Sequence, residues 1–120
     1  MSDFLGIHGT ALALREQRLQ VLAANIANAD TPGFQAQDLD FSAALRMATA
    51  PVQPPGTDPL AAAVAAARHD APSSQPSLDG NTVDPERARA SFAQAALEYR
   101  ASMSFVESKV RGMLTAITGQ

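Results

Sequence analysis

"DPERARASFAQAALEYRASMSFVESKVRGMLTAI", Asp84 to Ile117, is the longest regular pattern in the chain. Its residues Phe92, Ala96, Tyr99, Met103, Val106, Val110, Met113 and Ile117 are separated alternately by four and three positions. That alternation is a heptad seam, the mark of a helix that packs lengthwise against another. The start is equally legible. Asp84 is a side chain that caps free N–H groups, Pro85 suits the first helical position, and Glu86 sits at the positive end of the helix dipole. The pattern predicts a helix from Pro85 to about Ile117, roughly 50 Å long at 1.5 Å per residue. Leu97, Phe105 and Leu114 fall off the seam, so this helix carries apolar surface beyond what one partner covers.

The N-terminal stretch has a matching pattern from about Phe4 to Ala29. Leu5, Leu12, Leu19 and Ile26 form one stripe, Ile7, Leu14 and Val21 a second on roughly the opposite side, with Leu22 between them. A helix with two apolar faces wants two partners. The expected fold is therefore all-α, with long N- and C-terminal helices paired as a coiled-coil-like hairpin. Leu5, Leu12, Leu19, Leu22 and Ile26 on the first helix would meet the heptad row of the second. The surplus surface is either simply exposed or packed against other chains.

Four segments follow: 1–31, the N-terminal helix; 32–48, a turn, an extended stretch and a short helix; 49–80, a flexible linker; and 81–120, the C-terminal helix. Six of the eight prolines lie between Met47 and Gly80, among alanine and polar residues, which is linker composition. Within it, "LAAAVAAAR", Leu60 to Arg68, is a marginal helix with little to bury.

The first joint is "ANIANADTPGF", Ala24 to Phe34. Asp30-Thr31-Pro32-Gly33 is one inserted residue away from the Asp-Thr-Gly of aspartic proteases. Those enzymes present two carboxylates that share a proton from β loops, whereas here a helix precedes Asp30 and Pro32 interrupts the Thr-Gly step. The local physics gives another reading. Proline disfavours the helical conformation before it, so the helix ends at or before Thr31. Pro32-Gly33 fits the corner of a type II turn. Asn25 and Asn28 end the Ile7–Leu14–Val21 face in amides, placed to satisfy helix-end carbonyls or a neighbouring chain. Asn25, Asn28, Asp30, Thr31, Pro32, Gly33 and Phe34 thus form a candidate helix-end joint.

Other chemistry finds no foothold. The chain has no cysteine, a net charge of −3 and no basic cluster interleaved with aromatics, which argues against thiolate metal sites and nucleic acid. His8 and His69 stand apart from other ligands. Asp38 and Asp40 could flank a cation, but Asp40 more simply caps a short helix from Phe41 to Met47. No catalytic, metal or cofactor residue is assigned, and no enzyme activity is expected. No stretch reaches membrane-span length, and the N-terminus, without Lys or Arg before Arg15, is not a cleaved signal peptide.

"VLAANIANADTPGFQAQDLDF", Val21 to Phe41, resembles the N-terminal signature of bacterial flagellar rod and hook proteins, and "DGNTVDPERARASFAQAALEYRASMSF", Asp79 to Phe105, resembles the C-terminal segment of a short proximal rod member. The resemblance implies terminal helices that line a hollow helical shaft, which transmits torque and conducts exported subunits. It implies the partners FlgC, FlgF and FlgG of the rod, the adaptor FliE, the ring protein FliF and the flagellar type III export apparatus. It also implies a rod in the periplasm, reached without a cleaved signal. An FlgC-type protein is one alternative; a free-standing helical adaptor that never polymerises is another. One departure stands out. An export signal of phenylalanine plus a nearby hydrophobic residue would begin at Phe4, but His8 stands four residues on; Phe41 and Leu45 have the spacing far from the end, so that signal stays unassigned.

Overall fold

A computed structural model describes residues 2–72 and 78–119, with the side chains of 6–72 and 78–119. Phe4 and the seam position Leu5 lie outside the described side chains. Helix α1 spans Ser2–Ala27 and helix α4 Pro85–Thr118. They run antiparallel: Arg15 meets Glu98 at 2.7 Å, and seven residues earlier in α1 the His8 ring lies 4.8 Å from that of Phe105, seven residues later in α4. The expected hairpin of long terminal helices is the frame of a molecule 63 Å long.

The caps are where the sequence puts them. Asp84 Oδ1 accepts from the N–H groups of Glu86 and Arg87 at 3.2 and 3.3 Å, and Pro85 opens α4. The other end closes at Gly119 in the left-handed conformation, φ 74°. Asp40 accepts from Ala43 N–H at 3.1 Å and starts helix α2, Phe41–Ala48.

A second layer packs on α1. It contains strand β1 (Gln37–Leu39), α2, helix α3 (Pro59–Ala67) and strand β2 (Arg68–Asp70). The strands pair antiparallel, with Gln37 opposite Asp70 and Leu39 opposite Arg68. Leu14, Leu39, Ala44, Ala63, Val64 and Ala67 form the core, with Phe41, Leu45 and Leu60 packed around it. Leu14 comes from the second stripe of α1, so the two-faced helix finds both partners in its own chain: α4 on one side, the α2–α3 layer on the other.

The described part of 49–80 holds helix α3 and strand β2. Its helix is present and capped, with Asp58 Oδ1 accepting from Leu60 N–H at 3.0 Å and Pro59 at the first turn. Few large side chains hold it. Ala63 and Ala67 are buried against an equally buried Ala44, so α2 and α3 approach closely and bury their backbones along with their methyl groups. A scale that counts only bulky apolar residues overlooks such an interior.

Candidate functional site

The joint after α1 is built mostly from backbone. Asn28 N–H bonds Ala24 O at 3.0 Å, Thr31 N–H bonds Asn28 O at 3.1 Å, and Phe34 N–H bonds Thr31 O at 3.3 Å. The last bond closes a turn with Pro32 and Gly33 at its corner, and Gly33 has φ 76°, the conformation a type II turn demands there. Asp30, Thr31, Pro32 and Gly33 are exposed, and Phe34 is half-buried. Asp30 stands on the outside of the turn.

The two asparagines have different work. Asn25 is buried, and its amide faces the free edge of β1: Nδ2 donates to Gln37 O at 2.7 Å, while Oδ1 accepts from Gln37 N–H at 2.9 Å. One carboxamide thus replaces a third strand and seals the edge from the helix side. Asn28 is more open. Its Nδ2 donates to Ala24 O at 2.8 Å and its Oδ1 accepts from Thr31 Oγ1 at 3.1 Å. Both bond within their own chain.

The far half of the site comes from residues 79–83. Gly33 N–H donates to Asp79 O at 2.9 Å, Thr82 N–H to Phe34 O at 3.0 Å, and Ala36 N–H to Thr82 Oγ1 at 2.8 Å. Gly80, at φ 79°, backs onto Gly33, so that a Cβ there would lie 3.6 Å from the Gly33 Cα. At the centre is Asn81, 4 % exposed. Its Nδ2 lies 2.9, 3.0 and 2.7 Å from the carbonyls of Asn28, Ala29 and Thr31, and its Oδ1 accepts from Val83 N–H at 2.8 Å. Asn81 therefore caps the end of α1 from fifty residues away and fixes it to the start of α4. In the sequence, Asp79-Gly80-Asn81 reads locally as a turn. The signal available was the number of orphan carbonyls at the end of the first helix, more than the amide of Asn28 can serve.

Next to this clasp an ionic cluster ties the layers together. Arg18 grips Asp38 with two nitrogens, Nε at 3.0 Å and Nη2 at 3.3 Å, and approaches Glu98 at 3.6 Å. The hydrogen bond to Asp38 outweighs the cost of burial and raises the Arg18 pKa above its ordinary value, so it stays charged. Arg15 bonds Glu98 and lies 4.0 Å over the Phe41 ring. Asp38 and Asp40 thus serve an ion pair and a helix cap. Among the described residues no group of three His or acidic side chains could hold a metal.

The seam positions are distributed unevenly. Leu22 is buried, and Leu12, Leu19 and Ile26 are half-buried. On α4, Ala88 and Ala95 are the buried residues, while Phe92, Ala96, Tyr99, Met103, Val106 and Met113 lie half-buried beside them. Val110 and Ile117 are exposed, as are Leu97, Phe105 and Leu114. Small residues bring α4 against α1, and the larger row runs along the flank of that contact.

A long helical hairpin, clasped at one end and carrying large apolar residues along the other, defines a class: a shaft-like subunit built for lengthwise packing. The family described as flagella basal body rod protein matches residues 5–35. The flagellar basal body rod protein FlgB of Aeromonas hydrophila is 43% identical, covering 96% of this chain and 92% of its own. FlgB of Escherichia coli K12 is 44% identical over 89% of this chain and 87% of its own, and FlgB of Cereibacter sphaeroides 42% identical over 98% and 96%. The chain belongs to the FlgB family of flagellar basal body rod proteins. It is a structural protein of the basal-body rod, and nothing favours an FlgC-type or non-polymerising alternative.

Proposed function

We propose that the chain is a proximal rod subunit whose joint and seam are its assembly elements. In this reading Asn25, Asn28 and Asp30 to Phe34 set the angle at which α1 leaves the second layer. The rows of α1 and α4, from Leu5 to Ile26 and from Phe92 to Ile117, pack within the subunit and against its neighbours. The finished shaft transmits torque and conducts exported chains. Its neighbours are FlgC, FlgF and FlgG, the adaptor FliE and the ring protein FliF, within the periplasmic part of the basal body. The type III export apparatus delivers the subunit without a cleaved signal, and the role is structural with no enzymatic step.

The observation that supports this best is the length mismatch of the hairpin. With Arg15 level with Glu98, Ser2 falls level with Arg111, so the last turns of α4 extend past the start of α1 with Leu114 and Ile117 55% and 74% exposed. A subunit in a tube has neighbours to cover such a row. The test places a charge on the half-buried part of the seam. Met103→Asp or Val106→Asp, expressed in a strain lacking its own copy, should abolish swimming and leave basal bodies without a rod, because an unpaired charge is costly in a packed interface. Normal swimming and normal rods in both variants would remove the seam from assembly.

A further inference from the structure

We propose that the exposed face of α3 receives the distal end of α4 from a second copy of the chain, a contact that rests on the rod-subunit reading above. A groove of about 550 Å³ is lined by Gln17 of α1, by Leu60 and Val64, and by the row Asp58, Ala61, Ala65 and Arg68, of which Asp58 caps α3 and Arg68 follows its last turn. Those four α3-side residues are spaced three, four and three apart, and all four are exposed. On the distal part of α4, Glu107, Val110, Leu114 and Ile117 repeat the same three-four-three spacing, and all four are exposed as well. The α4 row is one narrow face of a helix, and Ala61 and Ala65 share a face of α3 with Asp58 and Arg68 just beyond its two ends.

Laid antiparallel, the rows match at three of their four positions. Arg68 faces Glu107, Ala65 faces Val110, and Ala61 faces Leu114, so branched side chains seat on methyl groups and opposite charges meet. At the fourth position Ile117 falls opposite Asp58, at the edge of the contact, where the carboxylate can turn to water. The parallel alignment sets Asp58 against Glu107 and is opposed by charge. Charge thus selects one orientation, and the small residues of α3 leave room for the large ones of α4.

The chain cannot make this contact with itself. Since Arg15 lies level with Glu98, Gln17 lies level with Ala96. Leu114 is eighteen residues further along the same helix, roughly 27 Å away at 1.5 Å per residue. The occupant is therefore another copy, and within a shaft the contact repeats in one sense, each copy's α4 row on the next copy's α3, which is head-to-tail. Contacts of that kind generate rings or helical filaments rather than closed dimers. Two short rows with one ion pair are too small a surface to hold a dimer in dilute solution, so the contact belongs to the assembled state.

The absence of native cysteine makes the test clean. The full-length Ala65→Cys/Val110→Cys variant, expressed in a strain lacking its own copy, is oxidised in isolated basal bodies and blotted. Expected is a ladder of disulfide-linked copies, with none from Ala65→Cys/Leu97→Cys. Basal bodies that contain the variant without a ladder, an equal ladder from the Leu97 pair, or linkage to a different rod protein in place of a second copy would each overturn the proposal and leave the rod reading standing. Absence of the wild-type chain from rods in the same preparation would overturn both. In the crosslinking background, Arg68→Glu and Glu107→Arg should each lower ladder yield about tenfold, and their combination should restore it. A combined variant as poor as either alone rules out the facing pair.

Discussion

Two asparagines in this joint look alike in the sequence and differ in consequence. Asn81 is buried, and three helix-end carbonyls share its Nδ2 protons, so truncation removes all of these hydrogen bonds at once. Asn81→Ala should cost about 1–3 kcal/mol in urea denaturation, because several hydrogen bonds of about 0.5–1.5 kcal/mol each are lost together. Asn28 is more exposed, and its own side-chain bonds can be replaced by water. Asn28→Ala should cost less than about 1 kcal/mol in the isolated chain. Equal losses in the two variants would show that Asn81 does not hold the end of α1. The mild cost expected at Asn28 also separates stability from assembly: a motility defect in Asn28→Ala with an unchanged urea midpoint would place its role at a neighbour's surface.

At the scale of elements, the close approach of α2 and α3 decides whether the middle of the chain is folded. Ala63 is 1% exposed and Ala44 is fully buried, which leaves no space for a longer side chain between the helices. Ala63→Leu should destabilise the isolated chain by about 1–3 kcal/mol through overpacking. Ala65→Leu, two residues along on the exposed face, should stay within about 0.5 kcal/mol. Thermal melts of the pair separate the two faces, and similar melting points would argue that α3 is not seated in the core. The contrast also shows where the sequence was legible. Caps at Asp40 and Asp84, the Pro32-Gly33 turn and the heptad helix are local, written in adjacent residues, and each stands where its pattern predicts. The alanine interior of α3, the Asn81 clasp and the Arg18–Asp38–Glu98 cluster join residues far apart in the chain. Alanine, asparagine and arginine have ordinary surface roles as well, so only the folded geometry shows which ones are enclosed. Asn25 lies between these cases. Its amide was recognisable as a bonding group, but the strand edge it seals exists only because a short strand from the linker region pairs with β1.

At the scale of the molecule, the hairpin is held at its clasped end and loose at its far end. Near the clasp, α1 and α4 are joined by Asn81, by hydrogen bonds from residues 79–83 and by the Arg15–Glu98 pair, with a second layer behind them. Beyond Arg111, no helix among the described residues lies beside α4, and helical bonds alone hold a segment of that length weakly in water. Amide hydrogen exchange in the isolated chain should therefore show a gradient along α4. Protection should be greatest near Ala88 to Glu98 and fall toward that of an unfolded peptide from about Gly112 to Thr118, because local opening costs least where few buried contacts are lost. Assembly reverses the gradient's cause. Once Val110, Leu114 and Ile117 are covered by neighbouring subunits, opening exposes apolar surface, and the same amides should exchange at least about tenfold more slowly in isolated basal bodies. Uniform protection along α4 in the free chain would mean that the distal helix is stable without partners. Unchanged exchange in the rod would mean that no neighbour covers it.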